Sequence, residues 1–177
     1  MKSLLLLSPH PRQGKTTIGV NLAVGLTRLG YKTLLLECGD PSLLRLWFDL
    51  PQDSQGVQHP RPEMGIDLLL ISDYSYELDR LASYDCIVID TSEDYIQYKQ
   101  LIDQATLIAA CTDLRADDAH DIPALEQEIS RVRSRQPAID IIIPNIINTK
   151  EWSHNSQVLF NLMDSWGEDR IADMIPK

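Results

Sequence analysis

The chain has 177 residues, a formal net charge of −10 and 44% hydrophobic residues, which suit one globular domain and leave too little chain for two. An acidic balance of this size disfavours nonspecific binding to nucleic acid and to anionic membranes. The three cysteines form no Cys-x-x-Cys pair, and the N-terminal apolar run is too short for a signal peptide or a membrane span. We therefore expect a soluble cytoplasmic protein with reduced thiols.

Apolar runs alternate with helix-like patterns along the whole chain. The predicted elements in chain order are a strand over 4–7, a helix over 14–30, a strand over 33–36, a helix over 41–48, a loop over 50–63, a strand over 66–71, a helix over 76–83, a strand over 86–89, a helix over 95–104, a strand over 105–111, a helix over 117–135, a strand over 139–143, a helix over 153–166 and a strand over 171–175. Strands that are apolar on both faces and separated by helices indicate an α/β fold, a doubly wound and mostly parallel sheet with helices on both faces. Ligands of such sheets lie beyond the carboxyl ends of the strands, so we expect the functional residues there.

A phosphate-binding motif lies between the first strand and the first helix. The backbone N–H groups at a helix start attract anions, and the helix dipole adds to that attraction. Lys15 would reach the outer phosphates, and the Thr16 hydroxyl would bind magnesium. Pro9 and Pro11 have no N–H to offer, so a short phosphate site is expected from Arg12, Gln13, Gly14, Lys15, Thr16 and Thr17. The alternative is an ordinary strand-to-helix turn.

Four further residues at predicted strand ends are candidates for the same site. Asp90 ends an apolar strand and would hold magnesium together with Thr16, although an aspartate there can also cap a helix. Glu37 and Asp40 follow the second strand and could orient the attacking water or hold magnesium, whereas a helix cap at Asp40 is the alternative. Asn145 could offer its amide to a purine edge or could simply be a turn residue beside Pro144.

In this order, the motifs resemble the ParA/MinD-like branch of the P-loop ATPases, the deviant Walker A group of the SIMIBI class. The residues that carry the resemblance are Gly14-Lys15-Thr16-Thr17, Asn21-Leu22-Ala23, Leu29-Gly30-Tyr31-Lys32, Asp85, Ile87-Val88-Ile89-Asp90-Thr91 and Ile175-Pro176. Ser8, Pro11 and Gly30-Tyr31-Lys32-Thr33 are also similar to bacterial exopolysaccharide tyrosine kinases. The resemblance covers almost the whole chain and implies a single nucleotide-binding domain over 1–177. It implies ATP/ADP and Mg²⁺ as cofactors, and a switch that hydrolyses ATP to regulate or position an unidentified protein partner.

The chain departs from this family pattern at several positions. His10 replaces the lysine that crosses an ATP-dependent homodimer interface, and a histidine is shorter and mostly neutral at pH 7. Glu37-Cys38-Gly39 replaces Asp-x-Asp, so the hydrolytic aspartate becomes Gly39, or Asp40 after a one-residue shift. Ser92-Glu93 stands where two prolines usually follow, and the chain stops at Lys177, before a further strand and helix that relatives have.

These departures leave two other functions open. The first is a nucleotide-binding and interaction module that has lost hydrolysis. The second is a kinase-like phosphotransferase, which the missing tyrosine-rich tail disfavours. Arg131, Arg133 and Arg135 are expected to lie against a helix C-terminus, and a local basic patch is the alternative. Trp47, Phe48 and Trp152 are expected either in a protein contact or in the core.

Overall fold

A six-stranded parallel sheet forms the centre of the molecule. The computed structural model describes residues 1–39, 43–51, 54, 56–73, 75–92, 95–115 and 117–177. The strands are β1 (Lys2–Leu7), β2 (Thr33–Cys38), β3 (Asp67–Ile71), β4 (Cys86–Thr91), β5 (Leu107–Thr112) and β6 (Ile141–Pro144). They lie in the order β3-β2-β4-β1-β5-β6, and every neighbouring pair is parallel.

Helices cover both faces of this sheet. They are α1 (Lys15–Arg28), α2 (Leu43–Trp47), α3 (Lys99–Gln104), α4 (Asp118–Ser130) and α5 (Trp152–Trp166). One buried cluster packs Leu35 and Val88 against Ile18 of α1, and the other packs alternate strand residues against α3, α4 and α5. Two buried faces explain the continuous apolar strands, and the predicted doubly wound α/β fold is confirmed. Among the described residues, none of the helices combines the length and apolarity that a bilayer span requires.

The predicted helix over 117–135 is wrong in its last turn, because α4 ends at Ser130. Arg133 lies beyond that end with a fully buried side chain. Its guanidinium donates to the carbonyls of Pro137 and Ala138 and to Asp140. Buried hydrogen bonds to these acceptors, rather than a helix dipole, therefore determine the position of Arg133.

The predicted strand over 171–175 is also wrong, since this segment forms only isolated bridges from Ile171 to Ile142 and from Pro176 to Ile147. Ala172 and Ile175 do donate to β6. Pro144 has no N–H to return, so a regular ladder is interrupted.

Three other predictions change in detail. The expected helix over 76–83 is a 3-10 turn at Leu78–Leu81, and the one over 95–104 splits into a 3-10 turn at Tyr95–Gln97 and α3. Phe48 belongs to the core, whereas Trp47 and Trp152 are exposed.

Candidate functional site

A glycine in the left-handed region brings the phosphate loop (residues 8–17) close to the end of β6. Gly14 has a φ of 84°. A Cβ built there would lie 2.1 Å from Nδ2 of Asn145, so both the backbone conformation and the space require glycine. Asn145 donates from that nitrogen to the Gln13 carbonyl at 3.0 Å. The predicted base-binding residue thus holds the loop itself, and its contact with a purine stays a prediction.

The Lys15 ammonium group points back toward the start of the phosphate loop. Lys15 Nζ donates to Ser8 Oγ at 2.8 Å, and Ser8 Oγ donates to the His10 carbonyl at 2.7 Å. The helix α1 begins directly after Gly14 with no side-chain cap and no acidic residue in its first turn. Uncapped N–H groups beside an ammonium group form a suitable site for an anion.

Asp90 and Thr16 meet where β4 ends beside the start of α1. Thr16 Oγ1 donates to Asp90 Oδ2 at 2.6 Å, and Asp90 is 2% exposed. Burial raises the pKa of Asp90 above its ordinary value, while the Thr16 hydrogen bond and the Lys15 charge act in the opposite direction. Asp90 Oδ1 is buried with no hydrogen-bond partner among the described residues.

This orphaned carboxylate oxygen fits a magnesium ligand. Among the described residues, no three His, Cys, Asp or Glu side chains lie close enough together to hold a metal ion. Thr16 and Asp90 would supply protein oxygens, and phosphate and water would supply the others, as is usual for Mg²⁺.

Glu37 lies at the same end of the sheet as Asp90, but its carboxylate is hydrogen-bonded to the start of α2. It lies opposite Asp90 in the β2–β4 register. Its Oε1 accepts hydrogen bonds from the backbone N–H groups of Leu43 at 2.8 Å and Leu44 at 3.2 Å. These bonds orient the carboxylate toward the start of α2, and a role for Glu37 in catalysis stays a prediction. Asp40, the alternative residue, lies outside the described residues.

Position 39, where an ungapped comparison with the family pattern puts an aspartate, has no room for a side chain. Its φ is 114°, and a Cβ would lie 2.1 Å from Ser92 Oγ. Any side chain at this position would therefore require both backbone strain and displacement of Ser92.

Local sequence patterns do not reveal the polar contacts of the loop with Asp113 and with the first turn of α4. Gln13 is fully buried, and its Nε2 donates to Asp113 Oδ1 at 2.9 Å. His10 Nε2 lies 2.9 Å from Asp121 Oδ2 and 3.5 Å from Asp118 Oδ1. The acidic first turn of α4, with Asp118 and Asp121, is visible in the sequence. Its contact with His10 cannot be predicted from it, because that contact depends on how the fold brings α4 beside the loop.

The predicted phosphate residues Arg12 and Thr17 are both exposed at the loop. The structure therefore brings together Lys15, Thr16 and Asp90, and leaves Arg12 and Thr17 at the surface beside them.

Comparison with solved structures finds the same fold in several other proteins. Cobyrinic acid a,c-diamide synthase from Mycobacterium smegmatis, solved with an ATP analogue and magnesium, matches with a TM-score of 0.80 and 16% identity over 100% of this chain and 85% of that one. The MinD cell division protein of Aquifex aeolicus matches with a TM-score of 0.73 and 16% identity over 99% of this chain and 82% of that one. The VpsO kinase domain matches with a TM-score of 0.64 and 22% identity over 83% of this chain and 85% of the domain.

No protein-family model and no curated protein sequence matches the chain. The structural matches have low sequence identity and establish the fold, in agreement with the resemblance drawn from the motifs. The chain therefore has the fold of the ParA/MinD-like branch of the P-loop ATPases.

Proposed function

We propose that the chain is an ATP-binding, Mg²⁺-dependent molecular switch of the ParA/MinD-like group. The observation that carries this proposal is the pairing of Thr16 with Asp90 beside Lys15, at the uncapped start of α1. A merely structural strand-to-helix turn does not explain why one oxygen of the buried Asp90 carboxylate has no hydrogen-bond partner among the described residues.

Each of these groups has a defined part in the proposal. Lys15 exchanges its hydrogen bond to Ser8 for the outer phosphates, and the first-turn N–H groups of α1 bind phosphate oxygens. Thr16 and Asp90 hold the ion. Bound Mg²⁺ neutralises phosphate charge and orients the phosphate oxygens. Asp40 or Glu37 orients the attacking water in the hydrolytic form of the proposal.

Calorimetric titration with ATP, in the presence and absence of Mg²⁺, tests binding. We expect magnesium-dependent binding by the wild-type protein and binding weakened roughly 10- to 100-fold in Lys15→Ala. Absence of binding by the wild-type protein would refute the proposed function.

A second candidate is a nucleotide-binding module without hydrolysis. Gly39 excludes a carboxylate at its position, and the start of α2 donates two backbone N–H groups to Oε1 of Glu37. Phosphate release in the presence of ATP and Mg²⁺ separates the two functions. Turnover supports the ATPase, whereas intact binding without turnover supports the module.

We further propose a cytoplasmic setting. We also propose a protein partner, since MinD, which has the same fold, was solved in complex with MinC. His10 contacts Asp118 and Asp121 of α4 in its own chain, and it is a histidine where the family has a lysine. An ATP-dependent homodimer would therefore have to form without the family's lysine contact. Light scattering with and without an ATP analogue measures the oligomeric state, and we expect a monomer in both conditions.

A further inference from the structure

Two buried polar atoms without partners lie at the carboxyl end of β4. Asp90 Oδ1 and Ser92 Oγ are shielded from solvent, and neither has a hydrogen-bond partner within the part of the chain that the structure describes. Buried polar atoms are almost always paired, so each exception needs an explanation. The proposed magnesium site explains the missing partner of Asp90 Oδ1, but it does not explain that of Ser92 Oγ.

Ser92 follows β4 directly and lies on the same side of the sheet as the phosphate loop. Side chains alternate along a strand, so residues 90 and 92 point to one face. Asp90 on that face contacts Thr16 of α1. The backbone N–H of Ser92 donates to the Cys38 carbonyl at 2.9 Å, which continues the pairing of β4 with β2.

Gly39 provides the space that the Ser92 hydroxyl occupies. A Cβ at Gly39 would lie 2.1 Å from Ser92 Oγ and 2.4 Å from Ser92 Cβ. The hydroxyl thus fills the volume in which any side chain at position 39 would begin. The two residues together place a small neutral donor where a side chain at position 39 would otherwise lie.

We propose that Ser92 Oγ donates a hydrogen bond to the terminal phosphate of a bound nucleoside triphosphate and thereby distinguishes it from the diphosphate. This inference rests on the proposed function, because it requires a nucleotide held by Lys15, Thr16 and Asp90. Only the triphosphate extends one phosphate further, so the diphosphate lacks the group that Ser92 binds. Ser92 Oγ has no hydrogen-bond partner among the described residues, so the hydroxyl would donate to the triphosphate as a neutral group.

The test compares two ligands with full-length wild-type protein and Ser92→Ala. The ligands are ADP and a non-hydrolysable imido analogue of ATP, both titrated calorimetrically with Mg²⁺. A hydrogen bond to a charged oxygen is worth about tenfold in affinity. We expect Ser92→Ala to bind the analogue about tenfold more weakly and to bind ADP as the wild type does. Its thermal stability without nucleotide should not fall, since the hydroxyl has no described partner to lose.

Ser3→Ala is the matched control, because Ser3 is a buried serine at the opposite end of β1. Its hydroxyl lies 3.3 Å from Thr106 Oγ1 and accepts from the Thr106 N–H at 2.9 Å. This variant should lose stability and keep the wild-type ratio of the two affinities. An unchanged ratio in Ser92→Ala, or an equal loss for both ligands, would overturn the role of Ser92 and leave the proposed function standing. Failure of the wild-type protein to bind either ligand would overturn both.

Discussion

Replacing Gly14 with alanine tests whether the approach of Asn145 shapes the phosphate loop. The substitution places a methyl group where the Asn145 amide nitrogen now lies, 2.1 Å from the ideal Cβ position. It also forces an alanine into a backbone conformation with a φ of 84°. The Asn145 side chain must move, and its hydrogen bond to the Gln13 carbonyl is lost.

These two effects can be estimated separately. The left-handed conformation costs an alanine about 1–2 kcal/mol. Loss of a buried hydrogen bond, with its groups left unpaired, costs about 1–3 kcal/mol. Gly14→Ala should therefore lower the free energy of unfolding by about 3 kcal/mol and the midpoint of thermal unfolding by roughly 6–12 °C.

A double-mutant cycle with Asn145→Ala, followed by urea unfolding, isolates the contact. The double variant should be less destabilised than the sum of the single variants by about 1–3 kcal/mol, because the Asn145 hydrogen bond can be lost only once. Gly25→Ala is the control within α1, where an added Cβ meets nothing within 4 Å, and it should not be destabilised. Single effects that add within about 0.5 kcal/mol would refute the reasoning.

Three other predictions follow from buried or charged groups. Lys15→Ala should weaken ATP binding roughly 10- to 100-fold by calorimetry, and retained affinity would contradict its assignment. Asp90→Asn should raise the free energy of unfolding in urea without nucleotide, because burial disfavours the charged carboxylate. The same variant should bind ATP without dependence on magnesium. A variant less stable than the wild type without nucleotide would contradict the prediction. A thiol reagent should modify Cys86 in the folded protein while Cys38 and Cys111 stay protected by complete burial, and burial also raises the pKa of Cys111 to about 12. Reaction of all three thiols without unfolding would contradict this.

Most strands could be predicted because their apolar character is local. The runs over 4–7, 33–36 and 86–89 fall inside observed strands, since both of their faces are buried. The ends of other elements depend on distant groups. Arg133 leaves the helical register to satisfy carbonyls and Asp140, and Pro144 interrupts pairing with the following segment. Neither effect can be derived from periodicity.

The candidate site was predictable where a motif specifies both chemistry and context. Lys15, Thr16 and Asp90 lie together because the carboxyl ends of parallel strands lie on the same side of the molecule. The contact of Asn145 with the Gln13 carbonyl was not predictable, since it depends on how β6 sits beside the loop. The same holds for the contact between Ser92 and Gly39, which lie far apart in sequence.

Both edges of the sheet are partly covered by the chain itself. Gln58 and Leu68 exchange two backbone hydrogen bonds, of 2.7 and 2.9 Å, at the outer side of β3. Ala172 and Ile175 donate to β6 at the other edge. Exposed strand edges invite strand addition and aggregation, and these short segments reduce the length of free edge on both β3 and β6. Point mutations in either segment would therefore expose more of a strand edge, although they lie outside the sheet itself.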